Sequence, residues 1–254
     1  MSTKHYNIKY LENTGEFLKK FKEFSYEPFL NCREGLIVDV GCGTGIDVIN
    51  MANSIGKNAN FIGIDHDQAM IDKANLSKGS LDNVEFLNSE VNSLPLMDNS
   101  VEGLRAERLL QHLTEPDGAI GEMYRVLKKN QPLVIAETDW AGLTIYNEHT
   151  NAASKLTKYL TEVKINNGYA SRKLTSYLRR AGFNNINITI FSFVIKSLKE
   201  ANEYLWLEHI LNEATEKEYL STSEHNEFVA SLKSSDENGY FSCCLNMVIA
   251  NCIK

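Results

Sequence analysis

The stretch Leu36-Ile37-Val38-Asp39-Val40-Gly41-Cys42-Gly43-Thr44-Gly45 runs from an apolar strand straight into a turn of glycines. Four apolar residues around a single acid read as a buried strand. Glycines at 41, 43 and 45 let the turn take positive φ and let backbone approach a ligand closely. Ile46, Val48, Ile49 and Ala52 then recur at helical spacing, which sets a helix N-terminus beside the turn. Strand, glycine turn and helix in that order open the nucleotide-type site of a doubly wound α/β domain. Taken alone, such a turn also has a plain reading as turn chemistry.

The spacing narrows the ligand. The dinucleotide fingerprint is G-x-G-x-x-G, whereas this turn, Gly41-x-Gly43-x-Gly45, is one residue shorter and follows an acid. Asp39 inside an apolar strand needs a partner, either an ammonium on a ligand or the N–H groups of the turn. A second strand, Asn60-Phe61-Ile62-Gly63-Ile64, ends in Asp65, about 20 residues after Gly45. An acid there is placed to accept both hydroxyls of a ribose; its other reading is a helix N-cap. Ribose at one end, a cationic amino acid at the other and no phosphate cradle fit S-adenosylmethionine.

These residues make the chain resemble the class I S-adenosylmethionine-dependent methyltransferases, particularly the small-molecule group typified by ubiquinone and menaquinone methyltransferases. The likeness spans roughly residues 35–190 and rests on ordered motifs. VDVGCGTG is followed by GIDHD over Gly63 to Asp67, then by Phe86-Leu87-Asn88-Ser89-Glu90-Val91 and Leu94-Pro95. Ala106 to Leu113 and Glu122 to Lys128 complete the set. The resemblance implies a Rossmann-like doubly wound sheet of seven strands, the last antiparallel, with an N-terminal helical lid and a helical cap insertion. It further implies that Asp39, Gly41, Cys42, Gly43, Asp65 and His66 line the cofactor. By the same resemblance Met70 packs against adenine, Glu90 and Val91 hold its edge, and Ala106 and Glu107 contact the methionine portion. Glu90 stands where the family usually has Asp, and read alone it is a solvated loop acid.

Composition agrees with a soluble enzyme. A chain of 254 residues with 43% hydrophobic and 23% charged residues is an ordinary globular protein, long enough to bury a large core. We expect one methyltransferase domain over residues 1–254. Within it, residues 1–34 form the lid, 35–140 the cofactor-binding core, and 141–254 the substrate-side helices and last two strands. The lid segment carries Tyr6, Tyr10, Leu11, Phe17, Leu18, Phe21, Phe24 and Tyr26 at roughly helical spacing, and a helix merely covering the sheet edge is the other reading. A net charge of −7 argues against a nucleic-acid partner. No stretch approaches the ~20 apolar residues of a membrane span, and no signal-peptide core is visible, so the expected compartment is cytoplasmic. Five cysteines (Cys32, Cys42, Cys243, Cys244, Cys252) show no zinc spacing, and no metal is expected. Arsenite methyltransferases combine this fold with cysteines, but Cys243, Cys244 and Cys252 lie in an apolar tail that favours packing. The oligomeric state stays open, a homodimer among the options.

Five strands are predicted at Leu36–Val40, Asn60–Ile64, Val84–Leu87, Val101–Arg105 and Leu133–Glu137, the fourth interrupted by Gly103 and Arg105. A helix over Ser171–Ala181 capped by Gly182, a strand over Asn187–Ile195, helices over 199–235 and a last strand over Tyr240–Ile253 follow. Ligands of open α/β sheets bind beyond the carboxyl ends of the strands. The candidates there are His112 after strand four and Glu137 and Asp139 after strand five. Methyl transfer is a displacement at a sulfonium that needs alignment and, for some acceptors, a base. His112 is the candidate base, with Glu137 or Asp139 orienting its ring or anchoring the acceptor; otherwise His112 bonds a carbonyl and the two acids are solvated or structural. The expected acceptor is a small molecule offering oxygen, nitrogen or carbon. A protein or peptide N-methyltransferase and a homologue that binds the cofactor without methylating are the alternatives.

Overall fold

The protein is described from a computed structural model, in which residues 18–32 and 34–254 are placed. Tyr6, Tyr10, Leu11 and Phe17 of the expected lid lie outside the described residues. The chain divides into two compact units. One comprises residues 20–137, 170–190 and 248–254; the other comprises, of the described residues, 18–19, 138–169 and 191–247.

The first unit carries the strand–turn–helix opening. Strands β1 (Gly35–Val40), β2 (Ala59–Asp65), β3 (Val84–Asn88), β4 (Gly103–Glu107) and β5 (Pro132–Thr138) are parallel in the order β3-β2-β1-β4-β5. Helices α1 (Lys19–Tyr26), α2 (Ile46–Ile55), α3 (Gln68–Ser77), α4 (Pro116–Val126) and α6 (Ala170–Ala181) accompany them. Alternation puts Val38, Val40, Leu104 and Ala106 into one core with Ile120 and Met123 of α4 and Leu174 and Leu178 of α6. Gly182, at φ +100°, ends α6 in the left-handed region that glycine accepts without cost.

Asn130 N donates to Lys254 O while Lys254 N donates to Gln131 O, so the last strand, β8 (Cys243–Ile253), runs antiparallel beside β5. Strand β7 (Asn184–Ile195) pairs with β8. The seven expected strands are present, and a two-residue strand, β6 (Thr144–Ile145), joins them. The fourth strand begins two residues later than predicted and continues to Glu107, because Arg105 is held inside the sheet rather than ending it. Val101, its predicted start, instead makes a lone parallel bridge to Leu127.

The second unit has its own core. Leu156 and Tyr159 of α5 (Thr150–Tyr159) pack with Leu205 of α7 (Leu198–Leu205), Ile210 and Leu211 of α8 (Leu207–Glu216) and Phe228 of α9 (Thr222–Glu237). The helical stretch predicted over 199–235 is thus three helices, broken first at Trp206, whose φ is +56°. Ser221 and Glu224 close a reciprocal capping box at the start of α9. Cys243 and Cys252 are buried in the fold as small apolar residues, burial pushing both thiols up to about 12. Among the described residues no helix is long and apolar enough to cross a membrane.

Candidate active site

The glycine turn is tied to the neighbouring strand at both its start and its middle. Gly41 N and Cys42 N donate to Ile64 O at 2.7 and 3.1 Å, and Gly43 N donates to Asp65 Oδ2 at 2.9 Å. All three glycines have positive φ. A Cβ on Gly45 would stand 2.4 Å from the Phe86 ring and 2.8 Å from Ala74, so this glycine lets the turn lie closely against β3 and α3. A Cβ on Gly43 would meet nothing within 4 Å. That side of the turn has the room its glycine was expected to leave. Cys42 is buried, and burial raises its thiol well above the usual range.

Asp65 ends β2 as a clamp. While Oδ2 holds Gly43 N, Oδ1 accepts from Asp67 N at 2.9 Å and faces His66 Nδ1 at 3.3 Å. The N-cap of α3 is Asp67, which accepts from Ala69 N, so Asp65 is not spent on capping. Ser89 N donates to Asp65 O, which brings the loop after β3 to the same strand end. In that loop Glu90 is exposed and Val91 is buried in the core, while His66 is exposed and Met70 is buried in the first turn of α3.

A buried charge network lies at the ends of β1 and β4. Asp39 and Arg105 are register partners on adjacent parallel strands, and Arg105 Nη1 donates to Asp39 Oδ1 at 3.1 Å. The partner expected for Asp39 was a ligand cation or the turn; the structure supplies a guanidinium. Arg105 also donates through Nη2 to Glu107 and through Nε to Ser25 Oγ, and stacks on the Tyr26 ring. Lys22 Nζ donates to Asp47 Oδ2 at 2.6 Å and to Glu107 Oε1 at 3.0 Å, and Tyr26 donates its hydroxyl to Asp47. Burial opposes ionisation of all three acids, yet Lys22 and Arg105 hold Asp47 and Glu107 below the usual carboxylate range. Asp39 meets Arg105 alone among these cations, and burial prevails there, raising it to about 7. Ala106 between them is fully buried in the apolar core.

Beyond β4 a short 3-10 turn, Leu110–His112, carries the candidate base. Glu137, fully buried at the end of β5, accepts from Leu110 N on Oε1 at 2.6 Å. Its Oε2 is buried with no hydrogen-bond partner, and burial pushes the carboxyl up to about 8. Glu137 therefore grips the backbone of the turn that bears His112, whose Nε2 lies 3.0 Å from Gln111 Nε2. Asp139 belongs to the second unit, where its N–H donates to Asn246 O and its carbonyl accepts from Gly142 N.

Lys22 and Asp47 were not marked by sequence reasoning, which named Tyr26 only as a lid residue and Arg105 only as an interruption of the fourth strand. The available signal was the pair of opposite charges, Asp39 and Arg105, each interrupting an apolar strand. Lys22 and Tyr26, one helical turn apart, share the face of α1 that reaches Asp47.

A family described as methyltransferase domain matches residues 33–182, and the chain belongs to that family. An uncharacterized 37.1 kDa protein in transposon TN4556 of Streptomyces fradiae is 30% identical over 84% of this chain and 62% of its own length. A demethylmenaquinone methyltransferase of Staphylococcus aureus is 28% identical over 47% of this chain and 50% of its own. The chain thus spans about half to two thirds of the length of these relatives. A phosphoethanolamine N-methyltransferase 2 of Haemonchus contortus, solved in complex with S-adenosyl-L-methionine, shares the fold. It aligns at TM-score 0.55 and 17% identity over 87% of this chain and 49% of that one.

Proposed function

We propose that the protein transfers the methyl group of S-adenosylmethionine to an oxygen, nitrogen or carbon nucleophile of a small molecule. The observation that carries this reading is the Asp65 carboxylate, fixed between Gly43 N and Asp67 N beside an open glycine turn. Each carboxylate oxygen has a second lone-pair direction, which suits the two hydroxyls of a ribose. Three carboxylates, Asp39, Asp47 and Glu107, gather where β1 and β4 end and α2 begins, and they outnumber the two internal cations that pair with them, Lys22 and Arg105, which favours a ligand with a cationic end. The residues present therefore fit the cofactor.

In this reading Gly41, Cys42, Gly43, Asp65 and His66 bind its ribose and turn-facing side. Met70, Glu90 and Val91 bind the adenine, and Asp39, Ala106 and Glu107 the amino-acid end. When bound, the cofactor supplies an electrophilic methyl on a sulfonium. The chain contributes alignment, worth far more here than acid catalysis because the leaving sulfide needs no proton. Where the acceptor must lose a proton, His112 takes it, on a turn whose backbone Glu137 holds. The name of the demethylmenaquinone relative supports a small-molecule acceptor.

Calorimetric titration with S-adenosylmethionine, S-adenosylhomocysteine and NAD tests the reading. Micromolar binding of the first two without NAD is expected. Tight NAD binding, or no binding of any of the three, overturns it.

A further inference from the structure

Lys22 is a buried ammonium on a helix at the edge of the charge network, and its neighbours are unusual for a surface-facing lysine. Only 9% of its side chain is exposed, and it donates to Asp47 Oδ2 at 2.6 Å and to both oxygens of Glu107 at 3.0 and 3.1 Å. Tyr26 adds a second donor to Asp47 and Ser25 Oγ accepts from Arg105 Nε, so the polar face of α1 is tied to α2 and β4. Asp47 opens α2 directly behind the glycine turn, and Glu107 closes β4. These two acids flank the place where the amino-acid end of the cofactor is assigned under the proposed function, on which this inference rests.

We infer that Lys22 is an internal substitute for the ammonium of the cofactor. Beside Arg105, which also pairs with both acids, helix α1 supplies from within the chain a further cation that these two carboxylates would otherwise draw from a ligand. The same site therefore has two candidate cations, one tethered and one free. Two buried acids cannot be fully satisfied by both without crowding like charges together, so the tethered one opposes binding of the other. An apparent affinity is reduced in proportion to the fraction of molecules in which the competing contact is open. Lys22 thereby sets how strongly the cofactor and its spent form are held, and it does so at the amino-acid end only. The adenosine end, at Asp65, is outside its reach in the network described.

The test compares wild type with Lys22→Met and Lys22→Gln by calorimetry, after circular dichroism has shown that each variant is folded. The probes are S-adenosylmethionine, S-adenosylhomocysteine and 5′-methylthioadenosine, which keeps the adenosine and lacks the amino-acid end. The expected result is affinity for the first two raised by about 5-fold or more in both variants, with 5′-methylthioadenosine unchanged. Unchanged or weakened affinity for the first two overturns the inference while leaving the cofactor reading intact. An equal gain for 5′-methylthioadenosine also overturns it, since the effect would not belong to the ammonium. If no probe binds any of the three proteins, the cofactor reading falls and the inference falls with it.

Discussion

Arg105 shows how much a single side chain decides. In the sequence it interrupts an apolar run; in the fold it is fully buried and satisfied by Asp39, Glu107 and Ser25. Removing one partner of a buried ion cluster leaves the others charged and unpaired, which costs about 3–5 kcal/mol. Arg105→Met is therefore expected to lower stability by about that much in urea titration. Adding Asp39→Asn to it should recover part of the loss, because one orphaned charge is removed. Asp65 acts differently, since its carboxylate is spent on the turn and, in the proposed function, on the ribose. Asp65→Ala should reduce affinity for S-adenosylmethionine by at least ~10-fold, hydrogen bonds to a charged group being worth about 1.5–3 kcal/mol each. Calorimetry reads this directly, and unchanged affinity removes Asp65 from the site.

The glycine turn between β1 and α2 is an element whose three glycines do different work. Gly45 has φ +76° and lies against Phe86 and Ala74, whereas Gly43 has φ +52° and nothing near its missing Cβ. Gly43→Ala should cost only the left-handed backbone penalty of about 1–2 kcal/mol. Gly45→Ala should cost that and about 1–3 kcal/mol more, because a Cβ there overpacks the ring. Thermal melts of the two variants rank them, and equal losses would mean that the contact with Phe86 relaxes freely. Strand β4 makes the companion point. Its register on β1 aligns Asp39 with Arg105, and that pairing extends it two residues past its predicted end.

At the scale of the whole molecule, buried acids couple stability to pH. A free carboxyl of this type titrates near 4.5, and burial raises Glu137 to about 8. Between those values the folded chain keeps a proton that the unfolded chain has lost. The stability this proton brings is complete below about pH 4.5 and declines until pH passes about 8. Glu137→Gln retains the acceptor for Leu110 N and cannot ionise. Wild type should therefore lose stability relative to this variant across that window and run parallel to it above, as read by urea midpoints at successive pH values. Asp39, raised to about 7, acts in the same direction in both proteins and cancels from the difference.

Strands β1, β2, β3 and β5, the glycine turn, helix α6 and the last strand were legible in the sequence, the last strand's antiparallel direction only as what the family resemblance implied. Each follows from apolar periodicity and turn residues that act over a few neighbours. The position of Asp65 at a strand end was legible for the same reason. What only the tertiary structure decided was which charges meet. Lys22 and Asp47 are 25 residues apart, Asp39 and Arg105 are 66 apart, and Lys22 and Glu107 are 85 apart. The free energy of a charge inside a sheet depends on what stands within a few ångströms of it, and local pattern carries no record of that. The same arginine is prohibitive in an unpaired strand and tolerated beside Asp39, Glu107 and Ser25, so its place in β4 was settled by its partners and not by its neighbours in the chain.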